Sequence, residues 1–181
     1  MSVKKETLIS NPNPFFIETG TYKGFTTRVA TNSGFDKVFT IELQDYLYEE
    51  SVENLTDLIT LGKVEVYKGD SAKVLPTILN KINDKTTILL DAHIDDGNFI
   101  SGETPNIRKC PLYEELTAIK EHKIKEHTII IDDVRILGKI GWGNEVVIDK
   151  IIDMIKSINN SYKITYEDGD EKNDVLIAKI K

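Results

Sequence analysis

Three short stretches hold most of the groups in this sequence that could do chemistry. "ILLDAHIDDG" sets Asp91 two residues ahead of His93, and "IIIDDVR" sets Asp132 beside Asp133. Three carboxylates brought together suit a hard divalent cation: magnesium takes about six oxygens near ~2.1 Å and usually keeps waters or substrate oxygens, so three side chains suffice. Calcium or manganese would accept the same oxygen set. Such a cation lowers the pKa of a coordinated hydroxyl and holds it in place for reaction. His93, whose imidazole titrates near ~6.5 when unperturbed, is then the candidate general base, next to Asp91. Blander uses exist for the same residues. Strand-end aspartates cap helices or solvate a rim, and a histidine satisfies loop backbone groups.

The third stretch is "IETGTYKG", where Glu18, Gly20 and Gly24 form E-x-G-x-x-x-G. This reads as a strand-to-helix turn in which the first glycine permits close ligand approach and the second permits close helix packing. Tyr22 stands where a dinucleotide fingerprint wants its middle glycine, so the turn favours a ligand without a pyrophosphate. Glu42 is placed to accept hydrogen bonds from a ribose diol. Asp70 and Ser71 either bind an adenine amino group or cap the next helix.

The elements that must position these groups alternate along the chain. Apolar runs predict strands at Phe15 to Glu18, Lys37 to Leu43, Val64 to Lys68, Thr86 to Asp91 and Thr128 to Asp132. Each ends in or next to a carboxylate. Between them, "LYEESVENLTDLITLG" and "SAKVLPTILNKI" carry helical apolar faces, the first ending at Gly62. After "NEVVIDKIIDMIKSI", the runs "YKITYE" and "DVLIAKIK" are separated by only "DGDEKN", which suits an antiparallel hairpin and not a helical crossover. The expectation is an α/β protein: a doubly wound, mostly parallel seven-stranded sheet ending in an antiparallel hairpin, with its ligand at the carboxyl ends of the strands.

Composition narrows the function further. One domain over residues 1–181 accommodates the whole pattern, with no linker and no internal repeat. A net charge of −7 with scattered lysines argues against nucleic acid. The only cysteine, Cys110, excludes an intrachain disulfide, and no apolar run approaches the ~20 residues that span a bilayer. "MSVKKETLISNPNP" lacks the apolar centre of a signal peptide, so a cytoplasmic location without membrane contact is expected.

Taken together, "IETGTYKGFTT", "FTIEL", "VEVYKGDSAKVLP", "ILLDAH" and "IIIDDVR" resemble the class I S-adenosylmethionine-dependent methyltransferases, whose fold is Rossmann-like. The resemblance is strongest to the metal-dependent O-methyltransferases of the catechol and antibiotic-sugar types. It implies S-adenosyl-L-methionine as cofactor, with Glu18, Gly20, Tyr22 and Gly24 around its methionine part, Glu42 on the ribose, and Asp70 with Ser71 on the adenine. It also implies Mg²⁺ or another divalent cation on Asp91, Asp132 and Asp133. The acceptor would be a hydroxylated small molecule or a sugar or glycan. The chain begins almost directly at the first strand, whereas many of these enzymes carry covering helices first; an open site, or a cover from a second copy in a homo-oligomer, is the expectation.

Two other functions compete. Asp-Ala-His-x-Asp also resembles a metal-binding stretch of the arginase family, but "IIIDDVR" does not match the second aspartate-rich element that those metallohydrolases need. A cofactor-binding protein without methyl transfer is the other, because a pocket does not guarantee turnover. Around the site, the polar run from Asp95 to Cys110 reads as a substrate lid and Trp142 as a wall or core residue. Cys110 reads as a packing residue, and His122 and His127 as remote from catalysis.

Overall fold

The computed structural model describes residues 3–93, 110–139 and 146–180. In it the alternating apolar runs become β1 (Phe15–Thr19), β2 (Lys37–Glu42), β3 (Val64–Lys68), β4 (Thr86–Leu90), β5 (Thr128–Ile131), β6 (Lys163–Glu167) and β7 (Val175–Lys179). They form one sheet in the order β3-β2-β1-β4-β5-β7-β6. The pairings from β3 through β5 are parallel, whereas β7 runs antiparallel to both β5 and β6. Strand order reverses between β1 and β4, which opens a crevice at their carboxyl ends.

The helices are α1 (Lys5–Ile9), α2 (Phe25–Thr31), α3 (Asp45–Asn54), α4 (Thr56–Thr60), α5 (Ser71–Leu79), α6 (Leu112–Glu121) and α7 (Ile148–Ile158). One apolar cluster joins α5, α6 and α7 to one sheet face through Ile17, Leu75, Ile88, Leu116, Ile131 and Ile155. A second, on the other face, gathers Leu8, Phe16, Ala30, Val38, Leu55 and Leu89. Alternate residues of a strand point to opposite faces, so neighbours such as Phe16 and Ile17 serve different clusters. Every residue of β4 and β5 is buried, as strands covered on both sides must be.

Two local features depart from the sequence pattern. The long helix expected up to Gly62 is two helices, broken at Leu55, whose side chain is fully buried against the glycine turn. The short helix α1 precedes β1 and buries Leu8 in the second cluster. Among the described residues no helix is long and apolar enough to cross a membrane.

Candidate functional site

The glycine turn is built by three left-handed residues in five: Gly20 (φ 87), Tyr22 (φ 50) and Gly24 (φ 82). A Cβ on Gly20 would lie 2.6 Å from the Asp91 carbonyl oxygen and 3.2 Å from the Ala92 Cα. On its Cβ side the glycine lets the turn after β1 lie against the end of β4. A Cβ on Gly24 would meet Leu55 at 2.8 Å, so the second glycine does serve helix packing.

Glu18 is almost fully buried at the end of β1. Its Oε2 accepts from Thr27 Oγ1 at 2.5 Å and Thr40 Oγ1 at 2.8 Å. Thr40 has one hydroxyl proton and gives it to Glu18, so the 2.6 Å contact between Thr21 and Thr40 must have Thr21 as donor. Burial raises the Glu18 carboxyl to about 7 against the pull of these hydroxyls. Glu18 therefore anchors the turn from below. Glu42, at the end of β2, accepts from the Tyr22 N–H through Oε2 and the Gln44 N–H through Oε1, each at 2.8 Å. Each carboxylate oxygen can accept two such bonds, so capacity remains for a pair of ligand hydroxyls. Burial raises its pKa despite those backbone donors.

Asp70 caps α5, accepting from the Ala72 N–H at 3.0 Å, and Ser71 opens that helix with its side chain buried. The capping use of Asp70 is therefore realised in the fold.

Across the crevice, Asp91, His93 and Asp133 bring ligand atoms within 4.8 Å of one another. His93 Nε2 lies 2.8 Å from Asp133 Oδ2 and 3.6 Å from Asp91 Oδ1. Burial, then the charges of Asp132, Asp133 and Glu18, hold the Asp91 carboxyl well above the usual carboxylate range. That mutual repulsion is what a bound cation would relieve. Asp132 lies in a second group, with Asp133 and Asp174; it also acts on Asp91 through its charge, accepts from the Asp133 N–H at 2.8 Å, and is mostly buried. Arg135 bridges Asp133 and Asp174 there, supplying an internal cation to that second group. Asp133 itself is left-handed (φ 55), and Asp174 at the start of β7 straps its neighbours: Val134 N–H donates to Asp174 O at 2.9 Å and Arg135 N–H to Asp174 Oδ1 at 3.0 Å.

A half-open cleft of about 320 Å³, including its solvent-filled mouth, lies between the ends of β4 and β5 and the start of α6. Asp91, His93, Asp132 and Asp133 line it together with Leu112, Leu137 and a residue that the sequence pattern did not single out, Glu115. Cys110 is buried in its wall. The expected lid from Asp95 onward and Trp142 fall outside the described residues. At the opposite, amino end of β5, His122 and His127 stack with Nδ1 and Nε2 2.8 Å apart, away from the cleft.

No protein-family model matches the sequence, and no curated protein matches it. Solved structures do match. An O-methyltransferase from Bacillus cereus in complex with S-adenosylhomocysteine is 16% identical, with a TM-score of 0.59 over 98% of this chain and 78% of that one. The O-methyltransferase TomG from Streptomyces achromogenes, involved in tomaymycin synthesis and bound to S-adenosylmethionine, is 13% identical, with a TM-score of 0.57 over 98% and 77%. A protein from Clostridium thermocellum described as a candidate rRNA methylase reaches 0.64 at 17% identity over 97% and 95%. With its order β3-β2-β1-β4-β5-β7-β6 and antiparallel β7, the chain has the Rossmann-like fold of these class I S-adenosylmethionine-dependent methyltransferases.

Proposed function

We propose that the protein transfers the methyl group of S-adenosylmethionine to a hydroxyl of a small or sugar-like acceptor, assisted by a divalent cation. The observation that carries this reading is the placement of two chemistries on either side of one strand reversal. Glu42 offers spare acceptors for a diol beside β1, and Asp91, His93 and Asp133 converge beside β4 and β5. The net charge of −7 disfavours an rRNA acceptor, the substrate class named for one of the matched proteins.

When bound, the cofactor supplies a methyl group on a cationic sulfur, and the cation acidifies the acceptor hydroxyl. The chain does the rest. Glu42 would orient the ribose, Asp91 and Asp133 would hold the cation, and Leu112 and Leu137 line the cleft. His93 takes the acceptor proton as general base. A second employment of His93 is favoured by its distances to both aspartates: its Nε2 would serve as a ligand beside them, a donor that suits manganese or zinc better than magnesium.

Calorimetry with S-adenosylhomocysteine tests the cofactor, and transfer to a panel of hydroxylated acceptors, with and without chelator, tests the reaction. A folded protein that binds no S-adenosylhomocysteine overturns the reading. Single-turnover transfer across pH separates the two uses of His93. As a base, His93→Ala slows transfer by about 10²–10⁴-fold with cation affinity intact; as a ligand, it weakens the cation first and excess metal restores the rate.

A further inference from the structure

Glu115 occupies the first turn of α6 with only 1% of its surface exposed. An acid there gains from the helix dipole equally well in water, so the dipole explains its position in the helix but not its burial. The hydroxyls of Ser71 and Thr19 face its carboxyl, yet its Oε1 has no hydrogen-bond partner. A buried polar atom left so is destabilising, and such atoms in a folded protein call for a reason. The residue also lines the cleft beside Asp91 and Ala92.

Its surroundings say which donor would satisfy it. Thr19 closes β1, and Ser71 opens α5 just after β3. The diol acceptor Glu42 pairs with Lys68 on β3, and its carbonyl accepts from the Gly69 N–H at 2.8 Å. A base attached to a ribose held by Glu42 would extend toward Ser71, whose hydroxyl faces the Glu115 carboxyl. Asp70, the other acid in reach, caps α5 and lies 3.8 Å from Lys73 with its side chain partly in water, whereas Glu115 is buried. We propose that Glu115 is a specificity-determining residue that accepts a hydrogen bond from the exocyclic amine of the cofactor's adenine and so distinguishes a 6-aminopurine from a 6-oxopurine. This rests on the cofactor reading above. Burial raises this carboxyl to about 7, so the discrimination is read above that pH, where the ionised group only accepts.

The test is calorimetric affinity for S-adenosylhomocysteine and S-inosylhomocysteine in wild type, Glu115→Gln and Glu115→Leu. The wild type should prefer the amino ligand by about 100-fold or more, since a buried acceptor facing a carbonyl is left unpaired. Glu115→Gln, whose amide both accepts and donates, should bring the two affinities to within about fivefold. Glu115→Leu should lose tenfold or more for the amino ligand; should it fail to fold, the near-isosteric Gln variant carries the test. A residue with a purely structural role would leave the ratio unchanged. Wild-type binding with the same ratio in Glu115→Gln overturns the inference alone. Absence of wild-type binding to either ligand overturns it together with the cofactor reading.

Discussion

Replacing Glu18 with Gln should flatten the dependence of stability on pH. In the folded chain the Glu18 carboxyl is raised from 4.5 to about 7, chiefly by burial, with Thr27 and Thr40 opposing. Between those values the folded protein keeps a proton that the unfolded chain has released. Stability is therefore fullest below about pH 4.5, falls as pH rises and levels off above about 7. At ~1.36 kcal/mol per unit the whole excursion is on the order of 3 kcal/mol. Gln at this position keeps a carbonyl acceptor for the two threonines and removes the titration. Glu115 is raised to about 7 by the same cause and remains, so a slope should persist but shrink. Urea unfolding at pH 5 and pH 8, with equal m-values as the control, should show a loss in wild type exceeding that of Glu18→Gln by roughly 2–3 kcal/mol. Parallel losses within about 0.5 kcal/mol would show that Glu18 is ionised in the folded protein at pH 5, and the account of its burial would be wrong.

Glu42→Ala should weaken calorimetric binding of S-adenosylhomocysteine by roughly 1.5–3 kcal/mol, the value of a charge-assisted bond to a hydroxyl. Asp91→Asn should reduce divalent-cation affinity sharply while S-adenosylhomocysteine still binds; because it relieves repulsion among three aspartates, the metal-depleted variant should melt at a higher temperature than wild type. A variant that melts lower would count against that repulsion. Gly20→Ala should destabilise the fold as a whole, since its φ is 87 and its Cβ would meet the Asp91 carbonyl oxygen at 2.6 Å. A fully stable Gly20→Ala protein would count against that clash.

Much of the architecture was legible because burial on both faces forces continuous apolar runs, and "TTILL" and "TIII" can hardly be anything but central strands. The strand-end acids were legible for the same reason: polarity resumes where the sheet ends. The break at Leu55 was not, because a helix that bends to pack one leucine against Gly24 keeps its apolar spacing. Nor was the entry of Asp174, which the sequence sets in the closing hairpin and the fold brings to Asp132 and Asp133. Glu115 was hidden for a third reason. An acid in the first turn of a helix is ordinary, and only the packing of α6 against α5 takes it out of water.

The strap from Asp174 ties the site to the order in which the chain is made. Asp174 holds Arg135 from 39 residues further along the sequence, and β7 is the strand that covers the flank of β5. A nascent chain that has emerged only through β5 already owns every parallel pairing, yet Val134 and Arg135 lack their Asp174 partner and β5 presents a bare edge. A ribosome stalled between β5 and β7 would display the whole parallel part of the sheet without the strap, with β5 exposed to any strand that arrives before β7 does.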